Sequence, residues 1–183
     1  MGQGSITTID EQTIRRARRG ETEAFAEIYA AYAKRCFNLA LRISGNRAVA
    51  EDVVHDAFIK VMQKIRTYRG EASLWSWIRQ ITANTTINVL ARRKWWRSLD
   101  ALTDADGDWS MPEPGSSDDR GAAEHDLVTL LGRLPVQART VLILHDMEGM
   151  THKEIGALFG QTESFSKSVL FRARKQLESD LQT

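Results

Sequence analysis

Thr151 and Glu154 stand three residues apart at the head of "THKEIGALFGQTESFSKSVLFRARKQL". This spacing constrains the fold more than any other feature of the chain. In a T-x-x-E arrangement each side chain caps a backbone N–H that the first turn of a helix leaves free, so a helix is predicted to start at Thr151. Ile155, Leu158 and Phe159 fall on its inner side and Gly160 ends it. "QTES" then makes a short turn, and Ser166, Val169, Leu170, Ala173 and Leu177 recur at helical spacing on a second helix. Two short helices on a tight glycine-containing turn form a helix-turn-helix. In that motif the second helix enters the DNA major groove N-terminus first.

The candidate DNA-reading residues follow from this placement. Glu163, Ser164 and Phe165 begin the second helix, and Lys167, Ser168, Phe171 and Arg172 lie away from its buried stripe. Arg172, Arg174 and Lys175 suit phosphates, which add salt-dependent affinity without sequence information. Thr151, at the head of the first helix, is counted with this set. An ordinary helical hairpin with a solvated basic face would share the periodicity. The capping box, the glycine turn and the basic helix together favour DNA.

The other segments also read as helix. Phe25, Ile28, Tyr32, Cys36, Leu39 and Ile43 share a face, with Gly45 as the stop and Asn46 as the next N-cap. Val49, Val53, Val54, Ala57, Phe58, Val61 and Ile65 form a second stripe that ends near Gly70. Ser73 can cap a third helix through Leu74, Trp77, Ile78 and Ile81. Pro135 opens a further helix that ends at Gly149. No strand-like alternation of useful length occurs, so an all-α fold is expected.

Charge divides the chain. Residues 1–100 carry 17 Lys and Arg against 10 Asp and Glu, residues 101–126 carry one against eight, and residues 127–183 carry seven against six. Two small helical domains, 1–98 and 124–183, are therefore expected on a flexible acidic linker, 99–123.

"RRKWWR", residues 92–97, interleaves Arg92, Arg93, Lys94 and Arg97 with Trp95 and Trp96. Bases stack on such rings while the strand's backbone feels the cations. A membrane interface and an aromatic lid over the core remain open from this stretch alone. Arg79, Asn84 and Asn88 lie along the same helix. Trp77 fits its apolar stripe, and Trp75 falls off it. On the preceding helix Glu51, Asp52, His55 and Asp56 share an arc opposite the apolar stripe. That arc suits docking of a basic or polar protein. Nothing clusters with Asp52 and His55 to complete a metal site.

No apolar run approaches the roughly 18 residues of a membrane span. "MGQGSITTID" has no apolar signal core, and Ile6 breaks the myristoylation pattern. Cys36 is the sole cysteine, so a disulfide framework and a cysteine zinc site are excluded. A cytoplasmic protein without membrane insertion, catalytic residues, metal or cofactor is expected.

In their order, these parts resemble the extracytoplasmic-function (ECF) sigma factors, the small two-domain specificity subunits of bacterial RNA polymerase. "AEDVVHDAFIKVM" resembles the family's polymerase-binding helix. The resemblance implies that Asp52, His55, Asp56 and Lys60 contact core enzyme, with His55 where glutamine is common. "SLWSWIRQITANTTINVLARRKWW" resembles the segment that captures and melts the promoter element nearest the start site. This implies roles for Trp75, Arg79, Asn84, Asn88, Arg92, Arg93, Lys94, Trp95 and Trp96. In the family a loop before this helix helps to hold a flipped base, which adds Tyr68 and Arg69 as candidates. "RLPVQARTVLILHDMEGMTHKEIGALFG" resembles the start of the domain that reads the upstream element. Phe165 and Val169 depart from the family's usual recognition helix, so base preference is not carried over. The implied partners are bacterial core RNA polymerase, promoter DNA and an anti-sigma factor, and the acidic linker would suit a basic polymerase channel. A free-standing DNA-binding regulator and, more remotely, a helical metalloenzyme are the competing classes.

Replacing Trp95 and Trp96 by Ala is expected to impair open-complex formation more than core binding, measured by permanganate footprinting beside a polymerase pull-down. Equal loss of both would make the rings structural.

Overall fold

Each helix of the N-terminal half begins or ends where a short polar residue or a glycine satisfies stray backbone groups. The computed structural model describes residues 9–92 and 129–181, and every regular element among them is helical. Helix α1 (Glu11–Arg18) opens on Asp10, whose carboxylate accepts from the Thr13 N–H at 2.7 Å. Helix α2 (Thr22–Ser44) closes on Gly45 at φ 68°, a left-handed conformation that glycine takes without steric cost. Asn46 caps α3 (Arg47–Lys64), its Oδ1 accepting from the Val49 N–H at 3.0 Å. After a 3-10 turn at Ile65–Thr67, the Ser73 hydroxyl accepts from the Ser76 N–H at 3.1 Å as α4 (Leu74–Arg92) begins. The Gly45 stop and the Asn46 and Ser73 caps are thus borne out. Helix α1 was not foreseen: eight residues that bury only Thr13, Ile14 and Ala17 are too few to show a period.

Helix α4 buries a face that looks polar in the sequence. Thr82, Thr85 and Thr86 are buried, and their hydroxyls donate to the carbonyls of Ile78, Ile81 and Thr82. Each hydroxyl is satisfied within its own helix, so the face packs as if it were apolar. Thr82 also lies 3.3 Å from the buried thiol of Cys36 on α2.

In the C-terminal half a helical stretch at 129–132 leads through Pro135 to α5 (Val136–Leu142). The helix continues as a π-turn over Ile143–Met147 and stops at Gly149, φ 68°. Then come α6 (His152–Leu158) and α7 (Glu163–Leu181).

Two apolar clusters hold these helices. One, with Ile14, Ile28, Tyr32, Val54, Phe58, Val61, Ile65, Leu74 and Ile78, lies within the N-terminal half. The other begins at Leu39, Ile43, Val49, Val53, Ile87 and Leu90, and continues without a break into Leu131, Leu134, Val141, Leu144, Ile155, Val169 and Leu170. Two helical regions are present, as expected, but they pack against each other through a shared core. The reason is local: Leu39, Ala40, Leu41 and Ile43 are all buried, so the end of α2 is apolar on more than one side.

A buried cation spans this contact. Arg139 of α5 is 2 % exposed, and its Nε and Nη2 donate to the Ile43 carbonyl at 3.0 and 2.8 Å. Ile43 lies in the last turn of α2, where carbonyls lack helical partners and the dipole favours a cation. Burial pushes the guanidinium down to about 9, still protonated at neutral pH. Nearby, Arg79 of α4 donates to the Glu148 carbonyl, and Arg42 of α2 lies 3.8 Å from the Glu148 carboxylate. Burial raises that carboxyl above its usual range, while Arg79, Arg42 and Arg35 act to lower it.

Arg139→Ala leaves the Ile43 carbonyl without its donors and opens a cavity. It is expected to cost about 2–4 kcal/mol, read as a lower urea midpoint, with Arg139→Met losing less because it keeps the volume.

Candidate nucleic-acid interface

The helix-turn-helix forms as the capping pattern requires. Thr151 Oγ1 accepts from the Glu154 N–H at 3.2 Å, and Glu154 Oε2 accepts from the Thr151 N–H at 2.8 Å. Hydrogen bonds from Thr151 hold the Glu154 carboxyl below its usual range. Thr151 is thus exposed but engaged as a cap. Gly160 turns the chain at φ 62°, and the Thr162 hydroxyl accepts from the Phe165 N–H at 3.3 Å at the start of α7.

A residue missed in the sequence sets how closely this turn folds back. A Cβ on Gly156 would stand 2.7 Å from the Thr162 carbonyl oxygen, closer than any real contact. Its only signal in the sequence was a glycine placed inside a short amphipathic helix.

Helix α7 buries Ser166, Val169, Leu170 and Ala173 as expected. Ser166 lies 3.0 Å from Nδ1 of His152, whose ring stacks on His145 at 4.2 Å. Burial lowers the His152 pKa, and the neighbouring His145 and Lys167 add to this. The opposite side of α7 exposes Ser164, Lys167, Ser168, Phe171, Arg172 and Lys175. Phe171, 70 % exposed, is the barest large apolar residue among those described. Glu163 and Lys167 pair at 2.6 Å.

Two predicted readers are placed differently. Phe165 is half-buried with its ring 5.6 Å from that of Phe159, because α6 and α7 close over it. Arg174 is held by Asp146 through bonds of 3.1 and 2.6 Å. Burial would raise the Asp146 carboxyl, but Arg174 and His145 hold it below its usual range.

In the N-terminal half Asp52, His55 and Asp56 are exposed on α3, and with Val89 and Arg92 of α4 they line one cleft. Lys60 leaves this arc: half-buried, it donates from Nζ to Thr85 Oγ1 at 2.9 Å. Ile59 and Met62 continue the exposed arc, Met62 at 52 % exposure. Sequence reasoning passed over them, although both fall outside the buried stripe of α3 and are apolar.

On α4, Asn84, Asn88 and Arg92 are exposed, with Asn88 donating to Asn84 Oδ1 at 3.2 Å. Arg93, Lys94, Trp95 and Trp96 lie outside the described residues, as does the linker. Arg79 is withdrawn into the contact with Glu148. Trp75 is half-buried, stacked on Tyr32 at 6.0 Å and covered by the Arg35 guanidinium at 4.0 Å. Tyr68 is a core residue: its hydroxyl donates to the Ala72 carbonyl at 2.6 Å and its ring packs on Trp77. Arg69 is exposed beside it. Among the described residues no group of three His, Cys, Asp or Glu could hold a metal ion.

Comparison with known proteins matches both halves. The family model for sigma-70 region 2 covers residues 28–97, and that for sigma-70 region 4 covers residues 124–177. The ECF RNA polymerase sigma factor SigE of Mycolicibacterium smegmatis is 32% identical over 85% of this chain, which spans 60% of that longer relative. The RNA polymerase sigma-H factor of Pseudomonas aeruginosa is 27% identical over 94% of each chain. Among solved structures, the sigma factor RpoE of Bartonella quintana, in complex with the anti-sigma factor NepR, shares the fold with a TM-score of 0.64 and 21% identity, covering 88% of this chain and 99% of that one. The chain belongs to the ECF sigma factors, the family that directs RNA polymerase to promoters in transcription initiation.

Gly156→Ala is expected to cost about 1–3 kcal/mol, because the added methyl meets backbone rather than a side chain that can move. A calorimetric melt would show the lowered Tm, and binding of upstream-element DNA by the holoenzyme should fall with it.

Proposed function

We propose that this chain is a promoter-specificity subunit whose three working surfaces are separate. The α3 arc of Asp52, His55 and Asp56, extended by Ile59 and Met62, docks on core RNA polymerase. Exposed apolar residues beside acids suit a partner with apolar and basic residues on one face. Asn84, Asn88, Arg92 and the residues 93–96 that follow hold the promoter element near the start site as it melts. The outward side of α7 reads the upstream element through Ser164, Lys167, Ser168, Phe171 and Arg172, with Lys175 at phosphate. Residues 1–98 and 124–183 act as the two functional regions, with 99–123 between them. The observation that carries this reading is the helix-turn-helix whose second helix turns its polar, cationic and aromatic residues outward while its apolar side closes the core.

An anti-sigma factor is the proposed regulator, on the pattern of the complex named for the RpoE relative. No described helix is long and apolar enough to cross a membrane, and the proposed site of action is the cytoplasm, beside polymerase and DNA.

In-vitro transcription with purified core enzyme and a genomic promoter library tests the reading: defined start sites should depend on this chain. Reversing Asp52 and Asp56 to Lys should weaken core binding at least tenfold, by fluorescence titration, with helix content unchanged. Unaltered affinity would remove the docking surface from the account.

A further inference from the structure

Helix α1 and the loop after α3 carry a surface that these three roles leave unused. Arg15 and Arg18 lie three residues apart on one face of α1, and Arg19 follows at its C-cap, four residues after Arg15. Arg18 donates to the Tyr68 carbonyl, and Arg66 Nε donates to the Arg18 carbonyl at 3.2 Å. Two guanidinium groups thus cross between helix and loop, each held by a backbone carbonyl of the other segment. A carbonyl fixes such a group without neutralising it. Among the described residues no acid forms an ion pair with Arg18 or Arg66. The Arg18 Nε is also buried without a hydrogen-bond partner.

Among these cations Arg19 alone is closely paired, its Nε and Nη2 donating to Glu21 Oε1 at 3.0 and 2.8 Å. Glu27 is engaged with Arg16 at 2.9 Å, and Glu21 is shared between Arg16 and Arg19. Glu11 and Glu71 stand at 4.0 and 3.9 Å from Arg15 and Arg69, both well exposed, where such pairs contribute little. Arg69, 83 % exposed, extends the array next to Tyr68.

We propose that α1 and residues 66–69 form a phosphate-binding surface for the backbone of the promoter strand. The proposal rests on the reading of this chain as a promoter-binding subunit. Phosphodiester is the favoured ligand for two reasons. Every cation in the array is a guanidinium, whose planar fork matches phosphate oxygens. The large exposed apolar residues among those described, Tyr29, Ile59, Met62, Met147 and Phe171, all lie on other elements, so the arginines here have no apolar neighbours of the kind that pack beside them in a protein interface. It would grip DNA without reading bases, beside the loop at Tyr68 and Arg69.

The test uses holoenzyme assembled from full-length chain and core polymerase on a pre-melted promoter fork. Arg15→Gln combined with Arg66→Gln should weaken binding severalfold, equally for all promoter sequences. The slope of log Kobs against log salt should fall by about 1.4, at about 0.7 per lost single-strand contact. Arg66→Lys, which keeps the charge, should retain most of the slope. If the double variant does not fold, Arg15→Gln with Arg69→Gln carries the same expectation on two exposed side chains. An unchanged slope with wild-type promoter binding intact overturns the proposal, as does a loss confined to core affinity. Wild-type holoenzyme with no promoter-specific binding would instead overturn the parent reading.

Discussion

A guanidinium inside an apolar seam decides how the two helical regions meet. Arg139 comes from α5 and ends on a carbonyl in the last turn of α2. Around it runs one continuous apolar cluster drawn from α2, α3, α4 and the helices beyond residue 130. Separating the regions would expose that apolar surface to water and strip the carbonyl of its charged donors. Both changes oppose opening.

The same seam sorts the chain's cations by availability. Arg79, Arg139 and Arg42 are drawn into contacts between the regions, while Arg92, Arg172 and Lys175 remain exposed. Lys60 turns toward α4 and Arg174 toward Asp146. Positive charge counted along the chain therefore overstates what faces nucleic acid. Exposed cations remain on the outer side of α7, at the end of α4, and across α1 with the loop at 66–69, besides scattered ones such as Lys34, Arg47 and Lys153.

Helix α4 shows how one element can pack on one side and keep polar side chains open on the other. Its buried side satisfies three threonine hydroxyls within the helix and packs against α2 and α3, leaving Asn84 and Asn88 on the open side. A run such as "ANTTINV" can then be core on one side and exposed on the other without leaving the threonine hydroxyls unsatisfied. The aromatic residues before it went the other way. Tyr68 and Trp75 looked available for bases, but each found apolar neighbours and a covering arginine.

Helix positions, the Gly45 stop, the Asn46 cap, the Thr151–Glu154 box and the buried side of α7 were legible because they depend on spacing and on bonds within a few residues. Helix α1 was not, being too short to display a period, and neither was the contact of Gly156 with the Thr162 carbonyl. Sequence by itself determined the all-helical class and the helix-turn-helix, since local hydrogen bonds and a 3.6-residue period specify both. Tertiary structure alone decided which of the predicted side chains still face outward. For Arg79 and Lys60 the outcome was set by a partner far away in the chain, Glu148 and Thr85. No pattern within one helix carries the position of such a partner.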